Sequence, residues 1–158
     1  MIHPGTRGLV MLGRADGVLN PSGVRFGSVE LYSIIESQFA SEVADSIAVG
    51  QRRPHDLDEH VVLFLVMRPG HAFTTSLVQR IKEAIAKGSS KRHVPKYIFE
   101  APDIPTTVNL KKVELPVKLI LCGKTVVPST TLRNPESLDY YYRFVDIEKR
   151  AVEGRARL

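Results

Sequence analysis

Chemistry in this chain would start from a few cations set beside small residues. The segment "GRADGVLNPSGVRFG", Gly13 to Gly27, holds two arginines, one aspartate and four glycines. A guanidinium can meet phosphate oxygens in pairs through its planar fork, although Arg14 taken alone reads as a surface arginine and Arg25 as part of an ordinary turn. Gly23 has no Cβ and lets a ligand come close to the main chain, with the Ser22 hydroxyl alongside. Asp16 is a residue type that caps turns. Lys111 and Lys112 end the run "NLKK". An ammonium fixed where negative charge grows is a strong electrostatic catalyst, although two adjacent loop lysines taken alone read as solvated. Lys82, Arg92 and Lys96 form a looser set that reads first as surface charge. The five histidines lack metal-ligand spacing, and Cys122 is the single cysteine. They suggest no metal site and no nucleophile-base-orienter set.

These residues need elements to hold them. Asn20-Pro21-Ser22-Gly23 between short β-prone runs predicts a hairpin. Leu31, Ile34, Ile35 and Phe39 recur at helical spacing, with Ser28 available as N-cap and Glu30 in the first turn. "DSIAVGQR" and "HVVLFLVMR" predict two adjacent strands joined by the polar loop "RPHDLDE". A second helix is expected from about Thr75 to Lys87, with Leu77, Ile81, Ala84 and Ile85 on one face and Gly88 as its stop. "SSKRHVPKYIFE" reads as a basic linker into a strand. "APDIPTTVNLKK" reads as a loop too polar for the core. "ELPVKLIL" predicts a short helix with Pro116 in its first turn, and "NPESLDYYYRFVDIEKRAVEGRARL" a terminal helix fading into a basic tail. "GLVMLG", residues 8–13, reads as a strand with no neighbour. The order implies an α+β fold: a β-hairpin, then a small, mostly antiparallel sheet of about three strands with packed helices.

The runs "GRADGVLNPSGVRFGSVELY", "RHVPKYIFE", "IPTTVNLKKVELPVK" and "NPESLDYY" come in this order between about Gly8 and Tyr142. Together they resemble the C-terminal lid domain of the acyl-adenylate-forming, AMP-binding ligase superfamily. Gly17, where acetate-activating members tend to carry a second aspartate, and "NPESL" tilt the resemblance toward the branch that takes acetoacetate. The resemblance implies an acid-CoA ligase. A carboxylate attacks the α-phosphorus of ATP to give an acyl-adenylate and pyrophosphate, and coenzyme A then displaces AMP. It also implies a partner, an N-terminal adenylation domain that binds most of the ATP, its Mg2+ and a small keto acid, against which the lid domain swings between two poses.

By the same resemblance, Asp16 is the hinge, Arg14 and Arg25 meet ATP phosphates, and Ser22, Gly23 and Arg25 face coenzyme A. Lys82, with Arg92 and Lys96, is a candidate for the CoA 3′-phosphate, and Glu30 is structural. Lys111 is the adenylation lysine. The family has glycine before that lysine, whereas this chain has Leu110, which restricts the backbone there. The division that follows is residues 1–15 as the approach to the hinge, 16–125 as the lid domain, and 126–158 as an extension. The family's Ser/Thr/Gly-rich phosphate loop is missing from the sequence, so the chain is expected to be a fragment without the full reaction.

Length and composition bound this reading. The 158 residues, 43% hydrophobic and 25% charged, suit one compact domain. The start has no signal-peptide pattern, and the longest apolar run, Val61 to Met67, is far short of the roughly 20 residues a membrane span needs. A single cysteine suits a reducing, cytoplasmic setting. The net charge of +5 favours anionic partners. A nucleic-acid-binding module is one alternative, but its basic stretch should interleave with stacking aromatics. Tyr97 and Phe99 instead alternate as a strand does, so no nucleic acid is expected. A stand-alone CoA- or nucleotide-binding regulatory module is the other alternative.

Overall fold

The computed structural model describes residues 17–155. Arg14, Asp16 and the strand expected at residues 8–13 lie outside the described residues. A two-stranded hairpin opens the described chain, with β1 (Val18–Leu19) antiparallel to β2 (Phe26–Gly27). Helix α1 (Ser28–Gln38) follows directly. Its N-cap is Gly27, one residue before the expected Ser28, because the Gly27 amide donates to the Glu30 carboxylate at 3.3 Å. The Ser28 hydroxyl is left for a distant partner.

The main sheet has the order β3-β4-β5, formed by Val43–Gln51, His60–Met67 and Tyr97–Glu100. β3 and β4 run antiparallel, whereas β5 runs parallel to β4. The main sheet is therefore mixed, with two antiparallel pairings in the described chain, β1–β2 and β3–β4, and one parallel pairing, β4–β5, within the mostly antiparallel arrangement expected. The cause is helix α2 (Thr75–Gly88) between β4 and β5, a crossover of the kind that parallel strands require.

β4 explains how so short a chain builds two cores. Its residues 61–65 are all buried, because both faces of the central strand are covered. Val61, Leu63 and Leu65 pack with Leu31, Ile35, Leu77, Ile81 and Ile85 of α1 and α2. Val62 and Phe64 point the other way, onto Val117, Ile120 and Leu121 of helix α3 (Glu114–Leu121) and the aromatic residues beyond it.

Two expectations need correction on this second face. The loop after β5 is not wholly outside the core: Ala101, Ile104 and Thr106 are buried. Its polar backbone is satisfied from residues 131–134. The Thr106 amide donates to Asn134 Oδ1 at 2.9 Å, and the Arg133 amide donates to the Thr106 carbonyl at 2.9 Å. The terminal helix is also divided, into consecutive 3-10 turns over Pro135–Phe144 and helix α4 (Ile147–Arg155). Leu138, Tyr141, Phe144 and Ile147 are all buried, and their strict spacing of three matches the 3.0-residue turn of a 3-10 helix. Phe64 meets Tyr141 and Phe144 edge-on, each at 4.9 Å between ring centroids.

The end of β3 locks this C-terminal layer. Gln51 Nε2 donates to the carbonyls of Leu121, at 2.6 Å, and Val145, at 3.2 Å. The buried Arg53 guanidinium donates to the Val145 carbonyl at 3.0 Å and pairs with both Asp56 and Glu148. Arg53 holds the carboxyls of Asp56 and Glu148 below the usual carboxylate range through these bonds. Among the described residues no helix is long and apolar enough to cross a membrane.

Candidate functional site

The hairpin carries one set of candidate residues, and its shape follows from its turn. The Val24 amide donates to the Pro21 carbonyl at 3.0 Å, closing a turn with Ser22 and Gly23 in its centre. Both central residues have positive φ, 51° for Ser22 and 79° for Gly23. That combination is the hairpin turn whose twist matches antiparallel strands. Glycine adopts it freely, but serine needs support. Asp58 supplies that support from the loop between β3 and β4. Its carboxylate accepts from the Ser22 amide at 2.8 Å and from the Ser22 hydroxyl at 2.5 Å. These bonds hold the Asp58 carboxyl below its ordinary value.

Around this turn lies a polar cleft lined by Ser22, Asp58, His60, Val94 and Lys96. Lys96 Nζ is 2.9 Å from His60 Nε2. The basic segment before β5 also docks on the hairpin: the His93 ring sits 4.2 Å from the Phe26 ring, and His93 Nε2 is 3.3 Å from the Glu30 carboxylate. Arg25 is exposed beside the turn. The structure therefore brings Ser22 and Lys96 to one cleft, with Gly23 next to Ser22 in the turn and Arg92 on the docked segment. Lys82 is half-exposed on α2 and shares no hydrogen bond or ion pair with the hairpin among the described residues.

The second set lies beyond β5, in the loop that carries Lys111. Thr106 and Lys112 form an antiparallel bridge around a tight loop. The Leu110 amide donates to the Thr107 carbonyl at 2.8 Å, and the Thr107 amide to the Lys111 carbonyl at 2.9 Å. Leu110 has φ of 59°, the left-handed conformation in which a glycine would be expected. The leucine that departs from the family pattern thus keeps the backbone shape that glycine favours.

The two lysines of this loop have different surroundings. Lys112 is pinned: its ammonium lies 2.8 Å from Asp45, 3.8 Å from Glu36 and 4.2 Å from the centre of the Tyr32 ring. Lys111 is exposed, and among the described residues no hydrogen bond or ion pair holds its ammonium. One lysine fixes the loop, and its neighbour is left available to a ligand.

Three residues past Lys111, Glu114 reaches back to the base of the hairpin. Its Oε1 accepts from the Ser28 hydroxyl at 2.6 Å and from the Tyr32 hydroxyl at 2.5 Å. Sequence reasoning missed Glu114 and Asp58. Their partners lie 82–86 and 36 residues away, and no local pattern marks such pairs.

Metal chemistry finds no ready donors here. Among the described residues, the grouping close enough to share an ion is Asp56, His60 and Glu148, and Arg53 already bonds both of its carboxylates. That set does not fit Mg2+. Cys122 caps the end of α3 and receives the Arg52 amide at 3.4 Å, a structural setting.

The chain is similar to several known proteins. Acetoacetyl-CoA synthetase from Rattus norvegicus is 54% identical over 140 residues, covering 89% of this chain and 20% of the relative. Malonamoyl-CoA synthetase from Penicillium aethiopicum is 50% identical over 125 residues, 79% of this chain and 17% of that protein. The solved acetoacetyl-CoA synthetase from Streptomyces lividans matches with a TM-score of 0.74 at 31% identity, over 88% of this chain and 20% of that one. No protein-family model matches the chain. The chain spans about a fifth of the length of the curated relatives it matches.

Proposed function

We propose that this chain, homologous to acetoacetyl-CoA synthetases over nine-tenths of its length, acts as the lid domain of an ATP-dependent acid-CoA ligase. The parent reaction is acetoacetate, ATP and coenzyme A going to acetoacetyl-CoA, AMP and pyrophosphate. Its partner is an N-terminal adenylation domain, and its setting is the cytoplasm. The observation that carries the reading is the loop at Lys111. A left-handed Leu110 and a pinned Lys112 present the Lys111 ammonium outward with no partner among the described residues.

In the adenylation pose Lys111 enters the partner's active site. There its positive charge meets the acid carboxylate and the charge developing on the α-phosphate, the place where a preorganised cation lowers the barrier most. Arg14 aids the same step at the nucleotide phosphates, and Asp16 is the hinge. In the thioester pose the turn at Ser22 and Gly23 lies along the coenzyme A arm, where the missing Cβ of Gly23 permits close approach. Arg25 turns its charge to the nucleotide phosphates, and Lys82, Arg92 and Lys96 are the cations available to the 3′-phosphate. Mg2+ stabilises the pyrophosphate leaving group when bound, and its ligands belong to the partner domain.

The test is Lys111→Ala in the complete two-domain enzyme. Formation of acyl-adenylate should fall by at least about a hundredfold, in line with losing one electrostatic contact to the transition state. Conversion of supplied acyl-adenylate to the thioester should stay near the wild-type rate. Equal loss of both half-reactions, or intact adenylation, overturns the assignment.

A further inference from the structure

The loop bearing Lys111 is braced from both sides, and one brace has an unusual address. Lys112 ties it to β3 and α1 through Asp45 and Glu36. Glu114 ties it to the base of the hairpin. Its Oε1 receives two hydroxyls, from Ser28 at the start of α1 and from Tyr32 one turn on. The Tyr32 oxygen in turn accepts the Ala48 amide of β3 at 2.9 Å. A continuous chain of hydrogen bonds therefore runs from β3 through Tyr32 to the first turn of α3. Burial, and then the nearby Glu114 charge, push the Tyr32 phenol well above its ordinary value.

The other oxygen of Glu114 lies against Gly17. A Cβ at Gly17 would fall 2.6 Å from Glu114 Oε2 and 2.9 Å from the Ser28 hydroxyl. The hairpin can begin where it does because residue 17 has no side chain, and the carboxylate fills that space. Residue 17 adjoins the proposed hinge position, and Glu114, the first residue of α3, lies three residues after Lys111.

We infer that Glu114 is the positioning residue that registers the Lys111 loop against the hinge end of the hairpin, so that the lysine arrives at the partner domain already aimed. The inference rests on the lid-domain reading of Lys111. It adds that the aim is set by a carboxylate whose partners lie on α1 and at Gly17. Misplacing a catalytic group by about 1 Å costs on the order of a hundredfold, so the loss of one brace out of two should cost about tenfold.

The experiment uses the complete two-domain enzyme with Glu114→Ala, Glu114→Gln and Tyr32→Phe. Single-turnover adenylation should fall about tenfold in Glu114→Ala and severalfold in Tyr32→Phe, while thioester formation from supplied adenylate holds. Glu114→Gln, which keeps an acceptor for both hydroxyls, should recover most of the rate. In the isolated chain, Glu114→Ala should also bring the Tyr32 phenol to a lower titration point, read by ultraviolet difference absorbance. Should Glu114→Ala fail to fold, Tyr32→Phe carries the test. Wild-type adenylation in the folded variants, or equal loss of both half-reactions, overturns the inference. If Lys111→Ala itself spares adenylation, the lid-domain reading has failed; if Lys111→Ala abolishes it and the Glu114 and Tyr32 variants do not affect it, only the positioning role has failed.

Discussion

Leu110 and Asp58 show how single residues hold the two candidate surfaces. A left-handed leucine costs about 1–2 kcal/mol relative to its relaxed conformation, and glycine gives back part of that through its freedom when unfolded. Leu110→Gly should therefore raise stability by up to about 1 kcal/mol in denaturant titration, with adenylation retained. A drop in stability would show that the exposed leucine side chain makes contacts of its own. Asp58 plays the matching part at the hairpin. Asp58→Ala should free the strained Ser22, seen as faster amide exchange at Ser22 and a raised KM for coenzyme A in the two-domain enzyme. Unchanged exchange at Ser22 would mean that the turn stands without Asp58. The residue types of both surfaces were legible in the sequence, since Ser22, Gly23, Arg25 and Lys111 stand out by chemistry and motif. Their supports were not, because Asp58 and Glu114 act on residues far away in sequence, and a lone carboxylate in a polar run carries no sign of its partner. The left-handed state of Leu110 was hidden for the same kind of reason: it is set by loop closure between Thr106 and Lys112, not by leucine's preference.

At the scale of elements, the layers follow from β4. Its unbroken apolar run reads as a buried strand, and burial on both faces commits the helices to two sides of the sheet. Phe64 is the centre of the second side, in contact with Tyr141 and Phe144. Phe64→Ala should cost about 3–5 kcal/mol, as removal of a fully buried aromatic does. A loss below about 1 kcal/mol would show that α3 and the 3-10 turns can collapse into the space. The helices α1, α2 and α3 were visible through their apolar spacing and breakers. The parallel setting of β5 and the split of the terminal segment were not. Strand direction depends on the α2 crossover, and the spacing of three at Leu138, Tyr141, Phe144 and Ile147 follows 3.0 residues per turn where the commoner helical pattern has 3.6.

For the whole molecule, two features matter: a clamp within the chain, and the placing of its two candidate surfaces. Within the chain, Arg53 joins the end of β3 to Asp56 and Glu148. The Asp56 carboxyl lies below its unfolded value because of the Arg53 bonds. A depressed carboxyl adds stability above its unfolded pKa of about 4, and that stability is lost as pH falls below it. Thermal stability should thus drop from about pH 4 downward, and Arg53→Met should flatten that drop while lowering stability at pH 7. An unaltered acid profile in Arg53→Met would remove this clamp from the account. The hairpin spans the two surfaces, with its base at Glu114 beside the Lys111 loop and its turn at the cleft of Asp58 and Lys96. The proposed lid function uses this arrangement by turning one surface and then the other toward one active site. The most direct measurement is a crossed pair in the two-domain enzyme: Lys111→Ala and Arg25→Ala, each followed through both half-reactions under single-turnover conditions. Lys111→Ala should lose adenylation and keep thioester formation, and Arg25→Ala should be impaired mainly in thioester formation. Loss of the same half-reaction in both variants would contradict a lid with two working surfaces.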